Sequence, residues 1–331
     1  MNELFENKKI LITGGTGSLG KSLTKKLLEF NVNTIRIFSR DELKQSEMQS
    51  SFNDRRLRFL IGDIRDKERL SRAFEDIDIV FHAAALKHVP VAEYNPFEAV
   101  KTNVQGSQNI IDACLDNKIE IAIGIGTDKA VSPLNTYGAT KLLMERIFVS
   151  ANNYRGNRKT KFCCVRYGNV LGSRGSIVPI FVNQIKNNQK ITITDPNMTR
   201  FNITMDDALN LIFRSVKHGK GGEVFVPKLK AYKVEDMKNA IIELLNSKDN
   251  SEIINIRPGE KLHEMLINRD EIRTTYENQD DYIIVNNGNE IKNNNSELNE
   301  TSLIDEYSSD KVKLLSKEEL KEILTIANLV D

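Results

Sequence analysis

Tyr137 and Lys141 lie at i,i+4, a spacing that puts both side chains on one face of a helix. An ammonium next to a phenol lowers the tyrosine pKa and makes the phenolate a usable base. Just upstream stand Thr127, Asp128 and Lys129. The threonine offers a hydroxyl to orient a substrate. Read alone, Asp128-Lys129 is equally a solvated ion pair at a turn. A second motif gives the tyrosine and lysine their weight. Gly14, Gly17 and Gly20 recur within Thr13-Gly14-Gly15-Thr16-Gly17-Ser18-Leu19-Gly20, after an apolar run and at the start of a helical pattern. Glycines there allow a tight turn and let backbone N–H groups approach a pyrophosphate at the helix N-terminus. Gly14, Thr16, Gly17, Ser18, Leu19 and Gly20 are therefore candidate dinucleotide contacts.

The choice of dinucleotide is read at the end of the next strand. Ser39, Arg40 and Lys44 offer a hydroxyl and two cations, which suit a ribose 2′-phosphate and favour NADP. Asp41 leaves NAD open as the alternative. Asp63 and Ile64 are expected to face the adenine. The small residues Ala83, Ala84 and Ala85 are expected to let the following strand pass close to the cofactor.

These groups need a frame. Apolar runs at 9–13, 34–39, 57–61, 77–83 and 119–125 read as strands. Helical patterns at 18–30, 42–49, 67–74 and 97–115 separate them. Strand–helix alternation with right-handed crossovers predicts an α/β, Rossmann-type, doubly wound parallel sheet. The expected domains are a dinucleotide-binding unit over 1–170, with some later segments returning to it, and a smaller C-terminal substrate-binding lobe over 171–275. Short strands at 191–194, 224–226 and 253–256 fall beyond the regular alternation. A polar extension covers 276–331, and its Asn-rich part, 277–310, reads as loop or semi-ordered surface. Ser316 and Glu319 form a capping-box signature. Leu320, Ile323, Leu324 and Ala327 then make an apolar face that docks on the body or on a partner subunit.

Composition narrows the function classes. A formal net charge of +1 gives no global case for nucleic acid or an acidic membrane surface. No apolar run is long enough to span a bilayer, and the charged N-terminus lacks a signal-peptide pattern, so a cytoplasmic protein is expected. Cys114, Cys163 and Cys164 lack CxxC spacing and read as reduced structural thiols. His82, His88, His218 and His263 include no i,i+4 pair, so no metal is expected.

With these residues in place, the sequence resembles the extended short-chain dehydrogenases/reductases. The closer resemblance is to the inverting UDP-N-acetylglucosamine 4,6-dehydratases of bacterial pathways to pseudaminic acid and related sugars. TGGTGSLGK, FSRDELKQSEM, HAAALKHVPVAEYNP, TDKAVSPLNTYGATK, VRYGNVLGSRGSIVP, the MTRF around Arg200 and IRPGEKLHE carry it. The resemblance implies that Tyr137 takes the proton of the sugar 4-hydroxyl, Lys129 the C5 proton, and that Asp128 helps the 6-hydroxyl leave. It further implies that Lys87 contacts cofactor and substrate, and that Asn169 and Arg174 lie near nicotinamide and diphosphate. Thr194, Asp195, Arg257 and Glu260 would hold the UDP portion. A homo-oligomer is expected on the same ground. One departure is Gly126, where the family pattern has serine. A related dehydratase/5-epimerase group has Met where Tyr137 stands, so Tyr137 favours the pseudaminic-type branch. A 4-epimerase or reductase of the same fold, and a non-catalytic NADP-binding sensor, are the competing readings.

Overall fold

The computed structural model describes residues 2–173, 175–256, 259–285 and 298–330. Helix α1 (Asn2–Phe5) precedes β1 (Lys9–Thr13), α2 (Ser18–Leu28), β2 (Thr34–Ser39), α3 (Glu42–Phe52), β3 (Leu57–Ile61), α4 (Lys67–Phe74) and β4 (Ile79–His82). After β4 come α5 (Val89–Tyr94), α6 (Pro96–Val100), a π-helical turn (Lys101–Gln105) and α7 (Gly106–Asp116). Then follow β5 (Ile121–Ile125), a 3₁₀ turn (Asp128–Ala130), α8 (Thr136–Tyr154) and β6 (Lys161–Val165). These strands pair in parallel in the order β3-β2-β1-β4-β5-β6. Because both faces are covered, the strands are apolar on both sides. Adjacent Cys163 and Cys164 accordingly enter the two opposite cores.

The single helix expected over 97–115 is interrupted by the π turn. That turn carries Asn103, whose side-chain amide donates to Leu86 O (3.0 Å) and Thr140 Oγ1 (3.0 Å). Its oxygen accepts from the Leu86 N–H (2.8 Å). Widening one turn places a buried amide between the loop after β4 and helix α8.

The second half contains α9 (Ile177–Lys186), β7 (Ile191–Ile193), β8 (Thr199–Phe201), α10 (Met205–His218), β9 (Glu223–Pro227), β10 (Ala231–Lys233), α11 (Val234–Leu244) and β11 (Ser251–Ile253). It continues with β12 (Met265–Ile267), β13 (Thr275–Glu277), β14 (Asp281–Val285), β15 (Asn299–Glu300), β16 (Tyr307–Ser308) and α12 (Lys317–Ile326). Two expectations are corrected. The 224–226 run is not a lobe strand; β9 lies parallel to β6 in the main sheet. The stretch 277–310 is not simply loop, because β14 pairs antiparallel with β9, and β13 and β15 extend the edge. Ile283, Ile284 and Val285 are buried in the cores, an apolar run masked in the sequence by its polar neighbours. Asp281 is also buried, but it is paired with Arg214 at 2.6 Å.

The lobe is a third core, where Phe181, Met198, Met237, Leu320 and Leu324 meet. Ser316 caps α12 through the expected capping box. Leu320 and Leu324 are fully buried and α12 lies along α11, with Lys321 bonded to Glu243 at 3.0 Å. The apolar face thus docks on this chain's own body, and Ala327 is exposed at the helix end.

One buried cation joins the parts. Arg166 follows β6 and is 1% exposed. Its Nε and Nη2 donate to Glu145 of α8 (3.0 and 2.6 Å). Nη1 and Nη2 donate to Glu271 (2.9 and 2.8 Å), and Nη1 also to Leu266 O (2.8 Å). Although burial opposes its charge, the two carboxylates hold it firmly protonated. Removing one member of such a network strands the other charges in a dry site. Arg166→Met should therefore lower unfolding free energy by about 3–5 kcal/mol. Urea denaturation checks this, and a change under about 1 kcal/mol would contradict it.

Candidate active site

The carboxyl ends of the parallel strands open into a cavity of about 930 Å³. Gly14, Thr16, Gly17, Ser18, Leu19 and Gly20 line its floor. Gly14 has φ +66°, and a Cβ there would sit 2.8 Å from Ala84 Cα. A Cβ on Gly20 would sit 2.4 Å from Gly15 O, so the turn closes directly onto the first turn of α2. The N-cap of α2, Gly17, makes no side-chain capping bond, whereas Asp41, Asp66 and Asn135 cap α3, α4 and α8. This helix start presents its N–H groups to the cavity, as an anion requires.

Ser39, Arg40 and Lys44 line the cavity at the end of β2, with Asp63 and Ile64 after β3 and Ala83, Ala84 and Ala85 after β4. Asp41 also lines it, but its carboxylate accepts from the Lys44 N–H (3.0 Å) and pairs with the Lys44 ammonium. Ser39 accepts from Gln45 Nε2 at 3.0 Å. Arg40 is more than half exposed and lies 3.6 Å from Asp63. The residues present suit a dinucleotide: a cradle too tight for side chains, an uncapped helix start and cations at the ribose end.

A second cavity, of about 400 Å³, shares Lys87, Thr127, Tyr137 and Asn169 with the first. Their junction is where Tyr137, Lys141, Thr127, Asp128 and Lys129 converge. Tyr137, Lys141 and Glu145 recur every four residues along α8, so one face carries the phenol, the amine and the anchor to Arg166. Burial pushes the Lys141 amine down to about 8, and its Nζ donates to Ile125 O (2.5 Å). Burial likewise pushes the Tyr137 phenol up, while the Lys129 charge and the Thr127 hydroxyl oppose that rise. Lys129 is thus a second cation near the phenol, beside the Lys141 that i,i+4 spacing places on the same face.

Thr127 Oγ1 donates to Asp128 Oδ1 (2.8 Å), and Lys129 Nζ donates to the same oxygen (3.1 Å). Asp128 is 1% exposed, so the pair is no solvated turn. Burial alone would lower the Lys129 pKa, but the acidic groups facing it, Asp128 first, outweigh burial and raise it. Glu264 Oε1 lies 3.7 Å from Lys129 Nζ. Glu264 ends the stretch IRPGEKLHE that carries the resemblance, but its spacing from the other site residues assigns it no role; the fold brings it to Lys129. Arg200 likewise reaches Glu264 and Glu260, at 3.7 Å each.

Thr194 and Glu260 line the second cavity. Asp195 is not among its lining residues, and its Oδ1 accepts from the Asn197 N–H (2.7 Å). Arg174 and Arg257 lie outside the described residues. Gly126 lines the first cavity, and a Cβ there would meet Val165 O at 2.5 Å, so a side chain would press on the end of β6.

The parallel sheet, the glycine turn at the first helix and the Tyr137/Lys141 face define an extended short-chain dehydrogenase/reductase. More narrowly, the chain belongs to the family described as polysaccharide biosynthesis protein, whose model matches residues 10–286. It is 48% identical to the inverting UDP-N-acetylglucosamine 4,6-dehydratase of Campylobacter jejuni subsp. jejuni serotype O:2, over 98% of each chain. It is 38% identical to a UDP-glucose 4-epimerase of Rickettsia rickettsii, over 99% of this chain and 98% of the other. The X-ray structure of Pen from Bacillus thuringiensis superimposes with a TM-score of 0.90 at 41% identity, over 98% of each chain. Among the described residues no helix is long and apolar enough to cross a membrane.

The glycine turn gives a direct test. Left-handed backbone costs a residue with a Cβ about 1–2 kcal/mol, before the contact with Ala84 is counted. Gly14→Ala should weaken dinucleotide binding by about tenfold or more. Fluorescence titration checks this, and unchanged affinity would place the dinucleotide elsewhere.

Proposed function

We propose that the chain is a UDP-N-acetylglucosamine 4,6-dehydratase, inverting at C5, that holds NADP and makes a UDP-4-keto-6-deoxy sugar for surface glycan or nonulosonic acid synthesis. The observation that carries this is the buried Asp128–Lys129 pair set beside Tyr137 where the two cavities meet. Similarity over nearly the whole chain to a protein named for that reaction supports it. When bound in the glycine cradle, the dinucleotide would supply the redox chemistry, as hydride acceptor and then hydride donor to the sugar.

The chain's own groups move the protons. Tyr137 takes the proton of the 4-hydroxyl, oriented by Thr127, and Lys141 braces the end of β5 beneath it. The 4-ketone acidifies the C5 proton. Lys129 takes that proton, and Asp128 gives one to the departing 6-hydroxyl. Lys87, Asn169, Thr194 and Glu260, with Arg174 and Arg257, form the substrate side of this reading. The similarity to an epimerase favours 4-epimerisation as a second reading. That reaction needs the tyrosine, but no acid–base pair at C5 and C6. NADP is supported by Asp41 being occupied as a helix cap while Arg40 faces the groove. Self-association is part of the reading too; with α12 engaged within the chain, exposed Tyr94 and Phe97 on α5 and α6 are what support it.

Incubation with UDP-N-acetylglucosamine followed by NMR should show a 4-keto-6-deoxy product, with solvent deuterium at C5 when the reaction runs in D2O. A 4-epimer alone would overturn the dehydratase reading. Lys129→Ala and Asp128→Asn should each slow water loss by about 10²–10⁴-fold. Both should keep their bound dinucleotide. Denaturing the purified protein should release NADP(H). Arg40→Asp should weaken NADP far more than NAD, since it sets like charge against the 2′-phosphate. Release of NAD alone would defeat that choice.

A further inference from the structure

Glu264 stands immediately before β12 and is clamped on both sides of its α-carbon. Its N–H donates to Ser309 Oγ (2.9 Å), and its carbonyl accepts from the Ser309 N–H (2.8 Å) and Ser308 Oγ (3.3 Å). Two residues on, Leu266 O is held by Arg166. The C-terminal segment thus fixes the Glu264 backbone, from which the side chain lies beside Lys129. Its Oε1 lies 3.7 Å from both Lys129 Nζ and Arg200 Nε, too far for a hydrogen bond to either. Its Oε2 is buried and has no hydrogen-bond partner. A buried carboxylate with an unsatisfied oxygen is a costly species, far more so than a neutral carboxyl group.

Building on the dehydratase reading, we propose that Glu264 works as a neutral carboxyl group, a positioning residue that leaves Asp128 as the sole carboxylate partner of Lys129. Were Glu264 ionised, Lys129 would sit between two negative charges and stay an ammonium, unable to accept a proton. With Glu264 neutral, Lys129 passes a proton to Asp128 Oδ1 across their 3.1 Å contact. An amine and a carboxylic acid result, which are the base and the acid that elimination needs. The amine takes the C5 proton. The C–H electron pair, delocalised towards the 4-ketone, forms the C5=C6 double bond as the C6–O bond breaks. The Asp128 proton leaves with the hydroxyl as water. Ammonium and carboxylate are thereby regenerated, Glu264 keeps its proton, and no further reactant is consumed.

The surroundings agree with the geometry. Burial and the Asp128 charge push the Glu264 carboxyl up, and Lys129, Arg200 and Lys261 only partly oppose this. Arg200, from β8, is shared with Glu260. Lys261 is turned to Val131 O (2.5 Å), and burial lowers its own pKa. His263 is turned to Thr199 Oγ1 (2.8 Å). Tyr137 from α8 and Tyr232 from β10 complete the ring of titratable groups, and both phenols are pushed up by burial.

Glu264→Gln fixes the neutral form with little change of shape. The wild type should lose its rate of water loss as pH rises through the Glu264 titration. The glutamine variant should stay within about threefold of the wild-type plateau and lack that decline. A loss of about 100-fold or more at every pH with dinucleotide retained would overturn the proposal, as would superimposable pH profiles. Infrared spectra of the wild type provide a second readout, independent of turnover and of that variant's folding. A protonated-carboxyl stretch should disappear on raising pH in the wild type and shift in Glu264→Asp. Absence of the band, or an unshifted band in the aspartate variant, would overturn the proposal. A wild type that forms no 4-keto-6-deoxy product fails the dehydratase reading instead, and the infrared result then decides the state of Glu264 by itself.

Discussion

A single guanidinium with two carboxylates governs the arrangement of this protein. Arg166 sits where β6 ends and holds Glu145 on one side and Glu271 on the other. Glu145 is two turns beyond Tyr137 on α8, and Glu271 lies just beyond β12, which Glu264 precedes. One rigid, bidentate cation therefore sets the relation between the helix carrying the phenol and the segment carrying the buried acid. Lysine could not do this, because a point charge on a flexible stem does not fix two planes at once. In a dry interior such a pairing is worth more as geometry than as net stability.

The same dryness gives the two site lysines opposite characters. Lys141 donates to a backbone carbonyl, and burial pulls it towards the neutral amine. Lys129 donates to Asp128, and the acidic groups around it, Asp128 first, push its pKa up against burial. Local partners, not side-chain type, push the two ammonium groups in opposite directions.

The dinucleotide half was largely legible in the residues. Period-two and period-3.6 patterns in the first half are strong, and Gly14, Gly17 and Gly20 at a strand–helix junction suit little besides a phosphate cradle. What was illegible shares one cause, which is contact across long stretches of chain. The valines of β9 look like any short strand until β6 is beside them. The apolar run of β14 is diluted by Asn-rich neighbours. Asn103 looks like an ordinary helical residue, yet it is buried between Leu86 and Thr140. Glu264 lies in a recognisable stretch, but its place beside Lys129 depends on Ser308 and Ser309, distant in sequence. Asp128 and Lys129 were visible as types, but the carboxyl group that faces Lys129 from Glu264 was not.

The position of β9 and β14 bears on how the molecule is made and how it can be divided. The strand that extends the parallel sheet past β6 arrives only after α9, β7, β8 and α10 have been traced, and its antiparallel neighbour arrives after the lobe's β10, α11, β11 and β12. During synthesis the edge of β6 therefore waits, unpaired, until most of the chain has left the ribosome. Unpaired edges are adhesive, so the nascent protein is most vulnerable to aggregation in that interval. The two halves also cannot be exchanged as modules by one crossover between genes, because the lobe is stitched through the sheet rather than appended to it.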